Sequence, residues 1–300
     1  MCTWCPRSGC WRWSAPPTPK RSPRSTRCCS AEVAELLSYL FPWRYAGLIA
    51  QFVRREVDAR YRQSLLGLVW AFLTPLLMLG VYTFVFRFVF KLRWGGAGDE
   101  TDLLFALRLY AGLAVFHFFA ECVNRAPRLV LDQPNLVKKV IFPLELLAWI
   151  NALSALVHLG IALLLLLVFT AWERGGLPLS VVALPLVWLP LLPLCVGLGW
   201  LLAAIGTYVR DVAQVLGMLV SLLMFLSPIF FPLEALPEVV RPWMFLNPLA
   251  LTITQTREVL LDGVWPDGLA LALHLLGCCA MAWVGAAFFR AARKGFADVV

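Results

Sequence analysis

Long apolar runs alternate with short polar stretches along this chain of 300 residues. A helix that crosses the hydrocarbon core of a bilayer needs about 20 mostly apolar residues, because its backbone groups must hydrogen-bond within their own segment there. Six runs meet this requirement, at residues 65–90, 103–123, 141–172, 181–209, 212–231 and 268–289. The pattern therefore predicts an all-α membrane protein with six transmembrane helices.

The segment before the first run, residues 37–64, has a different period. Its apolar residues recur every three or four positions from Tyr45 to Tyr61, and arginines occupy the other side, which is the pattern of an amphipathic helix. A basic amphipathic helix that leads into a span is expected to lie in the cytoplasmic interface of the membrane. The alternative, a helix packed on a soluble core, is weaker because the chain offers almost no soluble core. The residues singled out on this interfacial helix are Arg54, Arg55, Arg60, Tyr61 and Arg62.

Composition and charge support this interpretation. Hydrophobic residues make up 61% of the chain and charged residues only 15%, whereas soluble domains carry about 25% charged residues. Most of the Lys and Arg residues fall in segments that are cytoplasmic if both termini lie inside, as the positive-inside rule requires. The net charge of +8 therefore indicates topology and attraction to anionic membrane lipids, and not nucleic-acid binding.

The first 36 residues form a leader rich in Cys, Pro and Arg, which is expected to be disordered. Cys2 and Cys5 form a lone CxxC motif without a second ligand pair at finger-like spacing, so no metal site is predicted. The leader has no continuous apolar core before a small-residue cleavage site and is not interpreted as a signal peptide. We expect a dispensable tail or the product of an upstream translation start. The membrane-spanning body is assigned to residues 65–296 and a short tail to 297–300.

Two polar segments interrupt the apolar runs on the predicted cytoplasmic side. The first, LDQPNLVKKVIFPLE at 131–145, places two prolines, an asparagine and a lysine pair between two apolar runs, and we expect a partner protein to push on this loop. A loop that is merely positive-inside remains the alternative. The second is the pair Arg210 and Asp211, which predicts a tight cytoplasmic turn between the fourth and fifth runs. A buried intramembrane ion pair remains the alternative there.

Prolines recur every four to six residues after the fifth run, from Pro228 to Pro248. Each one removes a backbone donor and disfavours helix before it, so a single straight span is excluded. The segment is still apolar and aromatic. It is therefore expected to form short helices that dip into the outer interface.

Catalytic chemistry is sparse. The chain has no GxxxxGK[ST] phosphate loop, so an ATP-driven process would need an ATPase in another polypeptide. His117 and Glu121 lie one helical turn apart and could form an acid–base pair, which leaves an intramembrane enzyme acting on polyprenyl-linked sugars as an alternative. Two such residues do not make a metal site, and none is predicted. Arg108, within a span but close to its end, is expected to snorkel to the interface.

Five motifs in order carry a resemblance to a known family: RYRQSLLGLVWAFLTPLLMLGVYTFVFRFVF, QPNLVKKVIFPLELL, GTYVRDVAQ, LSPIFFPLEALP and FLNPLALTITQTREVLLDG. Together they resemble the membrane permease subunit of type-2 ABC exporters. Within these the chain is most similar to permeases that export polysaccharides and polyol phosphates, such as O-antigen, capsule or teichoic acid. The resemblance covers residues 37–296.

This resemblance implies a transport subunit and not an enzyme, in the bacterial inner (cytoplasmic) membrane. It implies a homodimer joined to two copies of a separate ABC ATPase that binds ATP and magnesium, with no cofactor in this chain. The implied cargo is a lipid-linked polysaccharide. A drug or lipid carried on the same scaffold is the alternative.

The resemblance also assigns roles to individual residues. Coupling to the ATPase is implied for Gln133, Pro134, Asn135, Leu136, Val137, Lys138 and Lys139. Short outer gate helices between spans five and six are implied around Pro228, Pro232, Pro237, Asn247, Pro248 and Arg257. Candidate channel-lining residues are Tyr82, Phe86, Phe225 and Phe230, because aromatic faces stack on sugar rings; anchoring in the lipid interface is the alternative for them.

Overall fold

The computed structural model describes most of the chain in two compact units, Met1–Ser38 and Tyr39–Val300. The described residues are 2–4, 11–13, 39, 42–62, 69–89, 101–134, 136, 142–233, 237–239, 241–244 and 247–296. In the first unit they form two three-residue strands, β1 (Cys2–Trp4) and β2 (Trp11–Trp13), which pair antiparallel with Cys2 opposite Trp13. Disorder in the rest of this leader stays a prediction.

Helices form the described part of the second unit. They are α1 (Ala46–Arg62), α2 (Val69–Thr83), α3 (Asp102–Arg125), α4 (Leu146–Arg174), α5 (Leu184–Trp188), α6 (Leu191–Tyr208), α7 (Val212–Leu226), α8 (Arg241–Met244), α9 (Pro248–Arg257) and α10 (Gly268–Ala292). Wider π turns extend α2 over Phe84–Val89 and α9 over Glu258–Asp262. Short 3-10 helices lie at Trp43–Tyr45, Ala126–Arg128, Leu179–Ala183 and Arg293–Gly295.

Five of the described helical segments are long and apolar enough to cross a membrane: Phe72–Val89, Asp102–Arg128, Leu146–Arg174, Leu179–Tyr208 and Gly268–Gly295. They coincide with five of the six predicted spans, and the all-α membrane fold is confirmed. The remaining predicted span corresponds to α7, a shorter apolar helix of 15 residues. At 1.5 Å per residue it measures about 22 Å, less than the roughly 30 Å of a hydrocarbon core. A count of six spans therefore stays a prediction.

The helix ends follow local sequence signals. Thr101 precedes α3 and its side-chain oxygen accepts a hydrogen bond from the Leu104 amide at 3.2 Å. Asp267 caps α10 in the same way. Gly175 ends α4 with a left-handed φ of 69°, a conformation that glycine adopts without a Cβ clash.

The spans differ sharply in how much of their surface the chain itself buries. The second span, α3, is the most buried one, with 72% of its most apolar 18-residue stretch buried. None of the corresponding stretch of α2 is buried, and Val220 is the one buried residue of α7. Helices α2 and α7 therefore leave apolar faces exposed to lipid or to another protein.

Candidate transport site

The interfacial helix α1 packs its apolar side against the beginning of the third span. Ile49 is buried with Leu146 and Ile150, and the rings of Phe52 and Phe142 lie 5.4 Å apart. Leu48 and Val53 pack against the same cluster, so the apolar residues at three- and four-residue spacing form the face of α1 that packs on α4. The predicted arginines Arg54 and Arg55 are exposed, while the side chains of Tyr61 and Arg62 lie outside the described residues.

The polar side of α1 meets charged groups on two spans. Arg60 forms an ion pair with Glu121 of α3, with 2.7 Å between Nη1 and Oε1. Glu121 also lies 3.0 Å from the Nδ1 atom of His158 on α4. Glu121 therefore contacts Arg60 and His158 on other helices, while His117 lines a cavity beside them. Within the described residues no three His, Cys, Asp or Glu side chains are placed to share a metal ion.

Part of the predicted coupling segment follows directly from the second span. Gln133 and Pro134 are exposed, and the Leu136 amide donates to the Gln133 carbonyl at 3.0 Å in a short turn. Gln133 lines a cavity of about 590 Å³ together with Arg55 and Arg128. The other predicted coupling residues, Asn135, Val137, Lys138 and Lys139, lie outside the described residues.

The predicted turn between the fourth and fifth runs is present. Arg210 and Asp211 connect α6 to α7, and both are exposed. The Gln214 amide donates to the Asp211 carbonyl at 3.1 Å, which starts α7 immediately after the turn. The structure thus places the two charges at a helix connection and not in a buried pair.

Arg257, of the predicted outer gate, lies beside the N-terminal half of α3 and makes several hydrogen bonds. Its side chain is almost fully buried and donates three hydrogen bonds to backbone carbonyls: to Arg108 at 2.8 Å, to Pro228 at 2.5 Å and to Ile229 at 2.6 Å. Burial lowers the pKa of Arg257 to about 9. The positive charge of Arg108 also lowers this pKa, and the negative charge of Asp262 opposes the shift. The guanidinium therefore remains charged at neutral pH.

Two neighbours fix the position of Arg257. Arg108 forms a two-bond ion pair with Asp262, at 2.6 and 3.1 Å, so its guanidinium is held by protein; its snorkelling to the interface stays a prediction. Gly112 of α3 leaves space for the guanidinium, because a Cβ there would lie 2.6 Å from the Nη2 atom of Arg257. The second span thus accepts a hydrogen bond from Arg257 at the Arg108 carbonyl and allows the guanidinium to approach closely at Gly112.

Asn247 joins the other end of α9 to the same break after α7. Its Oδ1 accepts from the Leu249 amide at 3.0 Å, as an N-cap does, and its Nδ2 donates to the Ser227 hydroxyl at 2.9 Å. Pro248 occupies the first turn, where a missing amide hydrogen has no cost. We call Asn247, Arg257 and the segment 227–229 that they hold the outer clamp.

The gate prolines differ in burial. Pro228 is buried in the clamp, Pro232 is half-buried after it, and Pro237 is exposed before the short helix α8. Short helices α8 and α9 replace a continuous span here. Whether they form a gate stays a prediction.

The four aromatic residues named as candidate channel lining lie together. Phe230 stacks on Phe86 with ring centroids 4.4 Å apart, and it also contacts Tyr82 at 6.0 Å and Phe225 at 5.8 Å. The cluster joins the C-terminal part of the first span to the end of α7. Phe230 is buried at its centre, while Phe225 is 60% exposed.

Several polar contacts were not anticipated from the sequence. They involve Arg108 with Asp262, and Glu56 with Ser154 and Arg125. The available signal was polar residues four positions apart in otherwise apolar helices, such as Glu121 and Arg125. Only the pair of His117 and Glu121 was singled out from such spacing.

A multi-pass helical membrane permease is the class that these features define, with an amphipathic helix ahead of the spans and a proline-broken segment before the last one. The family described as ABC-2 type transporter matches residues 48–261, and the chain belongs to that family. In this family ATP hydrolysis lies in a separate subunit. The prediction of a transport subunit is therefore confirmed, and the alternative prediction of an intramembrane enzyme is wrong.

The chain is also similar to permeases of known name. It is 29% identical to the O-antigen export system permease protein RfbA of Myxococcus xanthus over 261 residues, or 86% of this chain and 97% of that protein. It is 25% identical to the polysialic acid transport protein KpsM of Escherichia coli, covering 79% and 90% of the two chains. With the RfbA protein of Klebsiella pneumoniae the identity is 22%, covering 88% and 97%.

Proposed function

We propose that this chain is the permease subunit of a bacterial exporter that moves a lipid-linked polysaccharide across the inner membrane. The similarity to O-antigen and polysialic acid permeases over most of the chain supports this cargo class. Both cargoes are long glycans, and the proposal extends that chemistry to this protein. Both termini lie in the cytoplasm in the proposed orientation, which places the interfacial helix and the coupling segment inside.

The proposed assembly is a homodimer with two copies of an ABC ATPase, which bind ATP and magnesium. Support comes from the apolar surface of α2 and α7: none of the most apolar stretch of α2 is buried, and Val220 is the one buried residue of α7. Exposed side chains such as Met218 and Leu222 on α7 are available for helix packing with a second copy or with lipid. The ATPase supplies the nucleotide chemistry that the permease lacks.

Within the structure, the aromatic cluster is the observation that best supports a glycan as the cargo. It joins α2 to the end of α7 close to the outer clamp, and three of its four residues are phenylalanines without charge. Apolar ring faces bind the carbon faces of sugars without selecting ions. We propose that Tyr82, Phe86, Phe225 and Phe230 line the path of the glycan and that the segment from Pro228 to Arg257 closes its outer end.

The experiment that tests this proposal is reconstitution with the ABC ATPase of the same exporter. The two proteins are co-purified, placed in lipid vesicles and assayed for ATP hydrolysis with and without a lipid-linked glycan. Glycan-stimulated hydrolysis is the expected result. Stimulation by drugs or phospholipids but not by glycans would favour the alternative cargo, and transport without any ATPase would overturn the proposal.

Coupling through the loop between the second and third spans is tested separately. We propose that Lys138 and Lys139 contact the ATPase, so replacing both with Glu should abolish export while the permease remains in the membrane. Lys294→Glu, a charge reversal at an exposed site on the same predicted side, is the control and should export normally. Normal export by the double variant would remove these lysines from the coupling role.

A further inference from the structure

Three helices present polar residues to one another near the predicted inner side. Each contributes two residues four positions apart, which places both on one face of its helix. The pairs are Glu56 and Arg60 on α1, Glu121 and Arg125 on α3, and Ser154 and His158 on α4. We call these six residues the inner network.

Glu121 is at the centre of the inner network. Its Oε1 lies 2.7 Å from Arg60 and 3.8 Å from Arg125, and its Oε2 lies 3.0 Å from His158. Arg60 Nη1 also lies 2.9 Å from Nδ1 and 3.1 Å from Nε2 of His158, so Arg60, Glu121 and His158 contact one another. One carboxylate therefore contacts all three helices.

Glu56 provides the second connection between the same helices. It forms an ion pair with Arg125 of α3 and accepts a hydrogen bond from the Ser154 hydroxyl of α4 at 2.8 Å. The interfacial helix is thus tied at two successive turns, through Glu56 and Arg60, to both the second and the third span. Sliding or tilting of α1 alone would break both connections.

The inner network also lies between two cavities. Glu56 and Arg125 line the cavity of about 590 Å³ that Gln133 of the coupling segment also lines. Arg60, Glu121 and His158 line a second cavity of about 660 Å³, which extends between α2, α3 and α4 as far as Tyr82 of the aromatic cluster. The network therefore connects the region of the coupling segment with the region of the first span.

The side chains of this network are half-buried: 18% of Glu121, 20% of His158 and 46% of Arg60 is exposed. A half-buried carboxylate that loses its partners retains an uncompensated charge, so the network resists separation of the helices. Its partners are flexible side chains, however, and can exchange when the helices move together. Such a junction transmits displacement.

From these contacts we infer that Glu121 is a positioning residue that transmits movement of the interfacial helix to the second and third spans. The inference rests on the proposed function, because the movement originates in the ATPase. When α1 is displaced, the paired carboxylate carries α3 and α4 with it. Without that charge the ATPase still hydrolyses ATP, but the spans do not follow.

The test uses the reconstituted complex of full-length permease and ATPase, with lipid-linked glycan as the probe. Glu121→Gln keeps the shape of the side chain and removes its charge. We expect unchanged basal ATP hydrolysis and a loss of glycan-stimulated hydrolysis and export of about 10-fold, within the range of ordinary coupling effects. Wild-type stimulation in this variant would overturn the inference.

A double-variant comparison separates transmission from simple structural damage. Arg60→Gln should reproduce the loss, and the variant with both changes should be no worse than either one, because each removes the same contact. Arg60→Lys, which keeps the charge, should retain most of the stimulation. Losses that multiply in the double variant would contradict a shared role.

Two further variants keep the inference testable. Glu145→Gln is the matched control: Glu145 is 16% exposed and its carboxylate forms a 3.0 Å ion pair with Arg293, which follows α10. It should stay coupled. If Glu121→Gln does not accumulate in membranes, Ser154→Ala removes one contact of Glu56 without altering a charge and should lower stimulation partially; full stimulation would overturn the inference. A wild-type complex without glycan-stimulated hydrolysis would instead refute the proposed function.

Discussion

The outer clamp and the inner network both bind charged side chains between helices, but their partners differ. In the clamp, Arg257 donates to three backbone carbonyls, whose positions are set by the chain itself. In the network, Glu121 contacts side chains that can rotate about several bonds. The clamp is therefore suited to hold one geometry, and the network to pass from one geometry to another.

Burial increases this contrast. Arg257 is 5% exposed, whereas nearly half of the Arg60 side chain reaches the surface. Electrostatic contacts strengthen and their loss becomes more costly as water is excluded. Variants at the clamp should therefore act mainly on stability, and variants at the network mainly on coupling.

Arg257→Met should have the largest effect on stability. Methionine fills much of the same volume but removes the three hydrogen bonds to the carbonyls of Arg108, Pro228 and Ile229, at a cost of about 3–5 kcal/mol. Thermal unfolding of the purified permease in detergent measures the loss. Arg257→Lys, which retains a charge but not the planar fork, should lie between this variant and the wild type. Unchanged unfolding of Arg257→Met would refute the clamp.

Gly112→Ala should produce a smaller loss at the same place. The added methyl group would meet Arg257 Nη2 at 2.6 Å, and the guanidinium cannot retreat without lengthening its bond to the Ile229 carbonyl. Overpacking of this kind costs about 1–3 kcal/mol. The unfolding temperature of the variant gives the measurement.

Gly160→Ala on α4 is the control for that substitution. No atom lies within 4 Å of a Cβ at Gly160, and alanine is the better helix former by about 1 kcal/mol. This variant should be as stable as the wild type or slightly more stable. Equal losses at Gly112 and Gly160 would show that close contact with Arg257 is not the cause.

The sequence predicted those parts of the molecule that depend on local composition. The interfacial helix, the long spans, the turn at Arg210 and the broken segment after α7 each follow from the period of apolar residues or from the position of prolines. These signals act within one helix or one turn, so a single segment contains all the information they need.

The contacts of the two junctions could not be predicted in the same way. Arg108 and Asp262 are 154 positions apart, and their pairing depends on how α3 and α9 pack. The inner network requires the rotation of three helices about their own axes. Arg257 binds carbonyls, which every residue carries, so the side chains of its partners give no signal. Spacing alone could place Glu121 beside His117 but could not select His158 on another helix.

Asn247→Ala should lower stability by an intermediate amount. It removes both the N-cap of α9 and the hydrogen bond to Ser227 in the clamp. The loss of the cap to the Leu249 amide costs about 1 kcal/mol. Asn247→Asp keeps the accepting oxygen and removes the donor to Ser227, so it should be more stable than the alanine variant but should still loosen the clamp. Unfolding temperatures of the two variants test this order. Asp267→Ala removes a similar cap from α10, away from the clamp, and gives the cost of capping alone.

Glu56→Gln should have the smallest effect on stability and yet a visible effect on transport. The amide still accepts from Ser154 but loses its charge opposite Arg125, a pair whose side chains are 25% and 36% exposed. Partly exposed pairs contribute about 0.2–1 kcal/mol, so the unfolding temperature should hardly change. Glycan-stimulated ATP hydrolysis should nevertheless fall, because this pair is the second connection between α1 and α3. If stability falls as far as in Arg257→Met, or if coupling is untouched, the two junctions do not differ in the way their partners suggest.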